Sequence, residues 1–498
     1  MPSIKINIVA NLVGRIWAVA IGILLIPQYI KYLGIESYGL IGFYGTLIGS
    51  MALLDLGLST TIKRELAKYQ HQVSDSRAAR DLLFSLECIY WGIGVCISLL
   101  VVLFAGLIAT HWVKVETLPV HTVTQSVMLM GAVIAFQWPI SLYDGGLTGL
   151  DKQVLNNVIT VIMSTLRAAG VIIILKYFSA TLEAFFIWQA VLSFLYVMVM
   201  RMGLWRHMPK NILKPTFSKA QLKNVWRFAA GMTSISIITF FLAQIDKIVL
   251  SKILPLSVFG YYTLAFTIAS SMSMVSGPLS ITFFPRFTKL VSIQDEITLK
   301  KIYHNACRLM ATIIAPIGFL LIFFTKEILF IWTHNADTTS HTYLMARILV
   351  AGSILNALIV MPYNLIIAYG WTRFTIYQNT IAAIILVPML LWWTSVYGPV
   401  GATFVWLTVN AGYVLISQPV MHKTLLKNEL FTWYWKDTAI PLLISFLLLG
   451  SIKLLLCYFF PAFTPGLIAI AIIFVFVFST SMLTLKNFRD TLRTILRL

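Results

Sequence analysis

Apolar segments of about 20 residues, the length at which an α-helix crosses a bilayer, dominate this chain. Fourteen can be counted: they lie near residues 8–30, 38–60, 83–108, 123–147, 154–176, 184–201, 228–250, 259–284, 305–325, 343–368, 376–396, 399–419, 438–459 and 465–485. With 59% apolar residues and only 11% charged ones, the chain holds more apolar sequence than a water-soluble core can absorb. The sequence therefore predicts an all-α polytopic membrane protein with 14 transmembrane helices.

Basic side chains collect in alternate connections between these segments. Clusters follow the second segment, link the sixth to the seventh, follow the eighth and form the C-terminal tail, whereas the other connections carry few lysines and arginines. Because positive charge is retained on the cytoplasmic side of a membrane, both termini are expected to be cytoplasmic. This distribution also accounts for the net charge of +19, so no nucleic acid partner is expected.

A stretch around the second segment recurs 221 residues later in the chain. Residues 33–69 (LGIESYGLIGFYGTLIGSMALLDLGLSTTIKRELAKY) align without a gap with residues 254–290 (LPLSVFGYYTLAFTIASSMSMVSGPLSITFFPRFTKL), which places Gly39 on Gly260. A second anchor pairs AFFIW, which ends at Trp188, with the later ATFVW. Sustained register at a fixed offset indicates two related halves. With six spans each, the halves are parallel and related by an axis along the membrane normal.

The repeat and the basic link between the halves define the expected domains. The predicted regions are an N-terminal six-helix lobe (1–203), a cytoplasmic linker (204–224), a C-terminal six-helix lobe (225–422), and two additional helices with a basic cytoplasmic tail (423–498). The last two spans lie outside the duplication.

Ionisable groups inside the spans are the first candidate functional residues, because they are costly in lipid and usually face protein or water. Asn11 and Arg15 lie one turn apart in the first span, although Arg15 could simply extend to the interface. Asp55 reaches a similar depth in the second span and is either a structural ion-pair partner of Arg15 or a coupling residue. Arg167, near the middle of the fifth span, is either a cavity-lining cation or a buried structural one.

The eighth span carries several hydroxyl side chains. Thr267 and Ser270 share one face of the predicted helix, and Pro278 is expected to kink it. This pattern predicts a polar, bendable wall, although close helix packing through small residues would also produce it.

Three charged residues lie near the predicted outer surface. Asp246 and Lys247 end the seventh span, and Arg347 begins the tenth. They are interpreted either as an outer gate closed by an ion pair or as interfacial anchors of their helices.

No sequence signature of an enzyme or of a metal site occurs. The chain has no phosphate-binding loop, no zinc-ligand spacing and no nucleophile elbow. Its four cysteines lie in or beside apolar segments, without the spacing of a disulfide framework. We therefore expect no catalytic residue, no cofactor and no bound metal.

Two stretches resemble a known family. IPQYIKYLGIESYGLIGF followed by LLDLGLSTTIKRELAKY, and later FLAQIDKIVLSKILPLSVFGYYTLAF, resemble the polysaccharide-biosynthesis membrane proteins. These are the O-antigen (Wzx-type) flippases of the multidrug/oligosaccharidyl-lipid/polysaccharide exporter superfamily. The resemblance implies two six-helix lobes arranged in a V, two extra helices, and alternating access around a central cavity.

The same resemblance implies a substrate and a location. The expected cargo is an oligosaccharide linked through pyrophosphate to a lipid (undecaprenyl), moved from the cytoplasmic to the periplasmic leaflet of the bacterial inner membrane. Membrane lipids, a downstream polymerase and a chain-length regulator are further expected partners. Arginine suits the pyrophosphate because it offers paired donors to phosphate oxygens.

Residue roles follow for a transporter of this kind. The predicted substrate-binding residues are Asn11, Arg15, Arg167, Thr267 and Ser270. Since no ATP site occurs, transport would draw on an ion gradient, the membrane potential or product removal, with Asp55 as the coupling residue. The predicted outer gate comprises Asp246, Lys247 and Arg347.

Two other functional classes remain open. A multidrug-type antiporter of the same superfamily would be expected to carry a buried carboxylate in the first span, where this chain has Arg15. A membrane glycan polymerase, ligase or glycosyltransferase would usually hold its acidic groups in a large outer loop, and the outer connections here are short.

Overall fold

The computed structural model describes residue 14 and residues 17–55, 57–69, 76–209, 213–223, 244–460 and 465–483. Secondary structure within these ranges is helical, apart from one isolated bridge between Lys114 and Pro255. The chain forms two compact units, Met1–Gly260 (unit 1) and Tyr261–Leu498 (unit 2). The lobe and linker boundaries predicted from the sequence stay a prediction.

The helices follow one another with short connections. In chain order they are α1 (Trp17–Leu33), α2 (Ile35–Leu54), α3 (Leu58–Tyr69), α4 (Arg77–Trp112), α5 (Val120–Gly149), α6 (Gln153–Tyr177), α7 (Leu182–His207), α8 (Leu256–Ser292), α9 (Glu296–Phe323), α10 (Thr325–Thr333), α11 (Ala336–Ala368), α12 (Thr372–Leu425), α13 (Leu430–Phe459) and α14 (Leu467–Leu483). Residues 244–253 are also helical.

Nine helices in the described part of the chain are long and apolar enough to cross a membrane: α4 to α9 without a gap, and α11, α12 and α13. The protein is therefore a multi-pass membrane protein. The 54-residue α12 contains two predicted spans, because the chain turns back at Gly398, whose φ is 62°. Predicted spans 8–30 and 228–250 lie partly outside the described residues, so the total of 14 stays a prediction.

Several helices are interrupted where the sequence predicts continuous spans. The predicted span 38–60 is divided between α2 and α3, and Gly57 between them has a φ of 68° that favours glycine. Pro139 interrupts α5, since proline donates no backbone hydrogen bond. In α8 the interruption lies at the turn after Ser270, before the expected kink at Pro278.

The core of unit 1 joins α3, α4, α5 and α7. Ile62, Leu82 and Tyr143 are fully buried members of this apolar cluster. Helix α5 approaches α3 through small residues: a Cβ at Gly149 would lie 2.5 Å from the carbonyl oxygen of Lys63. Glycine thus permits a backbone-to-backbone contact that any side chain would block.

In unit 2, α9 packs against α11, α13 and α14. The apolar contact with the last two helices centres on Phe324, Leu449 and Val477, all fully buried. The two additional helices predicted from the sequence are thereby fixed to α9.

Candidate functional site

Unit 1 contains a cavity of about 350 Å³ beside the break between α2 and α3. Its lining residues are Ile48, Asp55, Ser59, Ile134, Gln137, Trp138 and Ser141. Two helix interruptions meet here, one preceding α3 and one at Pro139 within α5. Non-helical backbone at membrane depth is tolerated where it lines a cavity or is buried in protein. The cavity therefore explains why both helices can be interrupted at this level.

Asp55 is held by three hydroxyl groups at one side of this cavity. Tyr90 Oη (2.6 Å) and Ser141 Oγ (3.1 Å) donate to its Oδ1, and Ser59 Oγ (2.7 Å) donates to its Oδ2. The carboxylate also lies at the N-terminus of α3, where the helix dipole stabilises negative charge. The predicted partner, Arg15, lies outside the described residues, as does Asn11, and their roles stay predictions.

Arg167 is half-buried on α6 and is held by side chains from two other helices. Its Nη2 donates to Ser193 Oγ on α7 at 3.0 Å. Gln137 on α5 faces it, with the amide oriented to satisfy its neighbours. Gln137 Oε1 then accepts from Arg167 Nη1 (2.5 Å), Arg167 Nη2 (3.1 Å) and Tyr44 Oη (3.3 Å).

Two tyrosines lie near this arginine, and each packs against a phenylalanine of α7. The rings of Tyr29 and Phe185 meet edge-to-face at 5.5 Å, and those of Tyr44 and Phe186 do so at 5.4 Å. Both tyrosines lie close enough to Arg167 for an electrostatic interaction. Hydroxyl-bearing rings beside a cation suit a ligand that carries both sugars and phosphate.

The AFFIW motif helps to position Arg167. Trp188 Nε1 donates to the Arg167 carbonyl oxygen at 3.2 Å. A Cβ at Gly170, one turn along α6, would overlap the Trp188 indole, so glycine is needed for this contact. The small residues after Arg167 therefore admit a tryptophan from α7.

The charge of Arg167 is compensated by neutral polar groups, the Gln137 amide and the Ser193 hydroxyl. Within the described ranges, no carboxylate forms an ion pair with it. An arginine inside a membrane span normally faces an acid, a carbonyl group or a water-filled cavity. This environment can accept an anion from outside the protein.

Gln137 connects the two predicted functional residues of unit 1. It contacts Arg167 and lines the cavity that also exposes Asp55. The sequence interpretation missed this residue. The available signal was a glutamine before Trp138-Pro139 in an otherwise apolar span.

The predicted polar wall of α8 lies in unit 2. Thr267 and Ser270 are half-buried, and each hydroxyl donates at 2.9 Å to a backbone carbonyl of its own helix, that of Thr263 or of Thr267. Their lone pairs remain available to accept from a ligand hydroxyl. Their predicted contact with substrate stays a prediction.

The predicted gate residues belong to different units. Lys247 Nζ lies 3.2 Å from the Asp246 carboxylate beside it in unit 1. In unit 2, Arg347 Nε donates to Thr325 Oγ1 at 3.3 Å, and its guanidinium stacks 5.3 Å from the Tyr343 ring centroid. The gate formed by these three groups stays a prediction.

A closer contact joins the first turns of the two repeat copies. A Cβ at Gly39 would overlap the Leu256 carbonyl oxygen, and one at Gly260 would lie 2.5 Å from that of Ile35. The connection before α5 adds to this contact, since Leu256 N donates to the Lys114 carbonyl oxygen at 2.8 Å. The first turns of α2 and α8 therefore approach each other at two positions where only glycine fits.

Unit 2 contains a buried polar network that the sequence interpretation also missed. Asp437 is fully buried and accepts from His304 Nδ1 and, at 2.9 Å, from Arg308 Nη2. His304 Nε2 lies 3.2 Å from Glu429. The π-helical turn Trp433–Ala439 presents Asp437 to α9 and so attaches α13 to it.

Comparison with known proteins identifies the family. Residues 4–291, more than half of the chain, match the family described as Polysaccharide biosynthesis protein. The chain belongs to this family. A Shigella flexneri protein described as a candidate O-antigen transporter is 22% identical over 407 residues, 81% of this chain and 94% of the relative. The uncharacterized membrane protein EpsK of Bacillus subtilis (strain 168) is 23% identical over 393 residues, 76% of this chain and 74% of EpsK.

Solved structures show the same fold. Lipid II flippase MurJ, in an inward closed conformation, is similar with a TM-score of 0.70 and 13% identity, over 96% of this chain and 98% of MurJ. An inward-facing multidrug resistance transporter of the MATE family is similar with a TM-score of 0.59 and 16% identity, over 86% and 94% of the two chains. The chain therefore has the same fold as these two proteins.

Proposed function

We propose that this protein is a flippase. It moves a lipid(undecaprenyl)-pyrophosphate-linked oligosaccharide repeat unit across the bacterial inner membrane by alternating access, for synthesis of O-antigen or another surface polysaccharide. The observation that carries the proposal is Arg167, a cation inside a membrane span whose described partners are the neutral groups of Gln137 and Ser193. The family and the fold of flippases and exporters support it.

Arg167 is suited to the pyrophosphate end of the cargo. Its planar guanidinium can give two parallel hydrogen bonds to phosphate oxygens, which a lysine cannot. In a low-dielectric region such a bond compensates the charge of the headgroup during crossing. Gln137 and Ser193 hold the guanidinium through neutral acceptors, so phosphate can replace them without breaking an ion pair.

The remaining predicted residues have supporting roles in this proposal. Asn11 and Arg15 extend the phosphate-binding surface, and Thr267 and Ser270 accept from sugar hydroxyls. Asp55 couples transport to protons: a proton on the carboxyl would turn an acceptor of three hydroxyl groups into a donor and rearrange that network.

The outer side closes in two places in this proposal. Asp246, Lys247 and Arg347 form the charged part of the gate, and the contact of Gly39 with Gly260 forms its tightly packed part. Substrate release on that side requires the two first turns to separate.

The test uses the native host with the chromosomal gene deleted. We expect the deletion to accumulate one lipid-linked repeat unit in the inner leaflet, and a plasmid copy to restore surface glycan. Arg167→Ala should abolish restoration at normal protein level, and Arg167→Lys should restore it only partly. The control is Lys176→Gln, which removes an exposed lysine from the same helix. Full surface glycan with Arg167→Ala would reject the assignment of Arg167.

The same strains separate the two other functional classes. A multidrug-type antiporter would change resistance to cationic compounds and leave lipid-linked intermediates unchanged. A polymerase or ligase would accumulate its intermediate in the outer leaflet, because the substrate has already crossed. Either result would overturn the flippase proposal.

A further inference from the structure

An apolar groove runs between the two arms of α12 in unit 2. The arms lie side by side because the chain reverses at Gly398. The groove has a volume of about 420 Å³ and is lined from both arms, by Tyr377 and Ile381 on the first and by Ile416 on the second. These three side chains are 57–70% exposed in the protein alone, so the groove is open along its side.

The groove is kept open by local structure. Its second arm contains the π-helical turn Tyr413–Ser417, a feature often found at functional sites. A Cβ at Gly412 would meet no atom within 4 Å, so this glycine faces empty groove space. Tyr413 Oη donates to Asn379 Oδ1 at 3.3 Å and fixes the spacing of the arms at that level.

The groove is long enough to hold part of a hydrocarbon chain. Its lining runs from Phe374 to Met389 on the first arm, about 22 Å at a rise of about 1.5 Å per residue. This exceeds half of the ~30 Å hydrocarbon thickness of a bilayer. An extended chain from one leaflet can therefore lie along it.

The basic residues of α12 that flank the groove lie at one of its ends. Arg373 precedes the first lining residue, and Lys423 follows the last one, Val420, by one helical turn; both are exposed. Residues 374–422 contain no lysine, arginine, aspartate or glutamate. A ligand with a long apolar chain and an anionic group at one end therefore matches the groove in both shape and charge.

We propose that this groove binds the prenyl chain of the lipid-linked substrate when it is loaded, with the pyrophosphate at Arg373 and Lys423 before it reaches Arg167. The inference rests on the proposed function and extends it by naming where the lipid half of the cargo lies. The proposed cargo carries a prenyl chain behind its pyrophosphate, so it offers this groove both an apolar chain and an anionic end. The sequence predicts that this basic end lies on the cytoplasmic side of the membrane, where the substrate would be loaded.

The test is photolabelling of the purified full-length protein in phosphatidylcholine nanodiscs. The probe is undecaprenyl pyrophosphate, without sugars, carrying a diazirine in its chain. We expect the label on peptides within residues 374–420. Gly412→Phe, or the smaller Gly412→Leu, should block labelling by filling the groove. The control is Ile384→Phe, which enlarges a side chain that is 67% exposed and absent from the groove lining.

The charged end is tested with Arg373→Gln combined with Lys423→Gln. Losing two charged contacts to phosphate should weaken probe labelling about tenfold, equivalent to about 1.4 kcal/mol. A diazirine phosphatidylglycerol probe tests the other source of an anionic lipid. If it labels the groove equally well and undecaprenyl pyrophosphate does not displace it, the groove is a phospholipid site and the proposal is overturned.

Failure of this inference is distinguishable from failure of the proposed function. Arg167→Ala, in unit 1, should abolish surface glycan but leave groove labelling intact. Gly412→Phe should lose both labelling and surface glycan. Normal glycan together with lost labelling would exclude the groove from the transport route while leaving the flippase function in place. Labelling elsewhere in the chain would overturn the inference directly.

Discussion

Gly39 and Gly260, equivalent positions of the two repeat copies, contact each other reciprocally. The amide nitrogen of each lies 3.2 Å from where a Cβ on the other would stand. The carbonyl groups that limit the space belong to Ile35 and Leu256, which are also equivalent in the repeat. Two pairs of positions that the sequence alignment makes equivalent therefore meet in one reciprocal contact within unit 1.

Gly39→Ala should therefore prevent the first turns of α2 and α8 from closing. The added methyl group overlaps a backbone carbonyl that cannot move as a side chain can, and overpacking of this kind costs about 1–3 kcal/mol. We expect loss of surface glycan at normal protein level, and increased labelling of a cysteine placed at Thr46 by a membrane-impermeant thiol reagent. The control is Gly45→Ala on the same helix, where a Cβ meets nothing within 4 Å. If Gly39→Ala protein transports normally, closing of this contact is not required for transport.

The sequence predicted the features that depend on regular patterns. Apolar length predicted the membrane helices, and the fixed repeat offset selected Gly39 and Gly260. The AFFIW and ATFVW motifs were selected in the same way: Trp188 packs on Gly170, and Trp406 packs on Gly352. Patterns of this kind can be recognised in a single sequence because they depend only on the order and spacing of its residues.

Other features depend on contacts between distant segments. Gln137 gains its role only because α5, α6 and α2 converge at Arg167 and Tyr44. Asp437 is paired with His304 and lies 133 residues away from it. A single polar residue in an apolar span gives no indication of its partner, so these contacts could not be predicted from one sequence.

Gln137→Glu should inactivate the protein by neutralising Arg167. The substitution keeps the size of the side chain and places a carboxylate where the Gln137 oxygen now accepts from both guanidinium nitrogens at 2.5 and 3.1 Å. Substrate phosphate would then compete with an ion pair. We expect surface glycan to fall as far as with Arg167→Ala, measured by glycan staining at matched protein level. Gln125→Glu, an exposed position on the same helix, should have little effect. Full activity of Gln137→Glu would argue against an anion at Arg167.

Asp55→Asn should uncouple transport from a proton gradient without preventing substrate binding. The asparagine cannot take up a proton, and its amide group can accept from only part of the set formed by Tyr90, Ser59 and Ser141. Reconstituted variant protein should transport at a rate independent of an imposed pH gradient. Tyr90→Phe, which keeps the carboxyl group, should retain the pH response. If the Asp55→Asn protein responds to the gradient as the parent does, Asp55 has only a structural role.

Asp437→Asn should destabilise unit 2 strongly, because it removes the charge that compensates two neighbouring basic groups. Asp437 is fully buried, and Arg308 and His304 both donate to it. Removing one partner of a buried pair costs about 3–5 kcal/mol, and here Arg308 and His304 would lose the fully buried carboxylate that they share. Thermal unfolding in detergent should show a clear fall in Tm.

The matched control is Glu429→Gln, which changes a carboxylate of the same network that is 25% exposed and lies 3.2 Å from His304. A surface-screened pair contributes about 0–1 kcal/mol, so its Tm should change little. Combining Asp437→Asn with Arg308→Gln should recover part of the lost stability, because the cation left without its carboxylate is then removed as well. If Asp437→Asn and Glu429→Gln lower the Tm equally, burial of the carboxylate does not determine how much it contributes to stability.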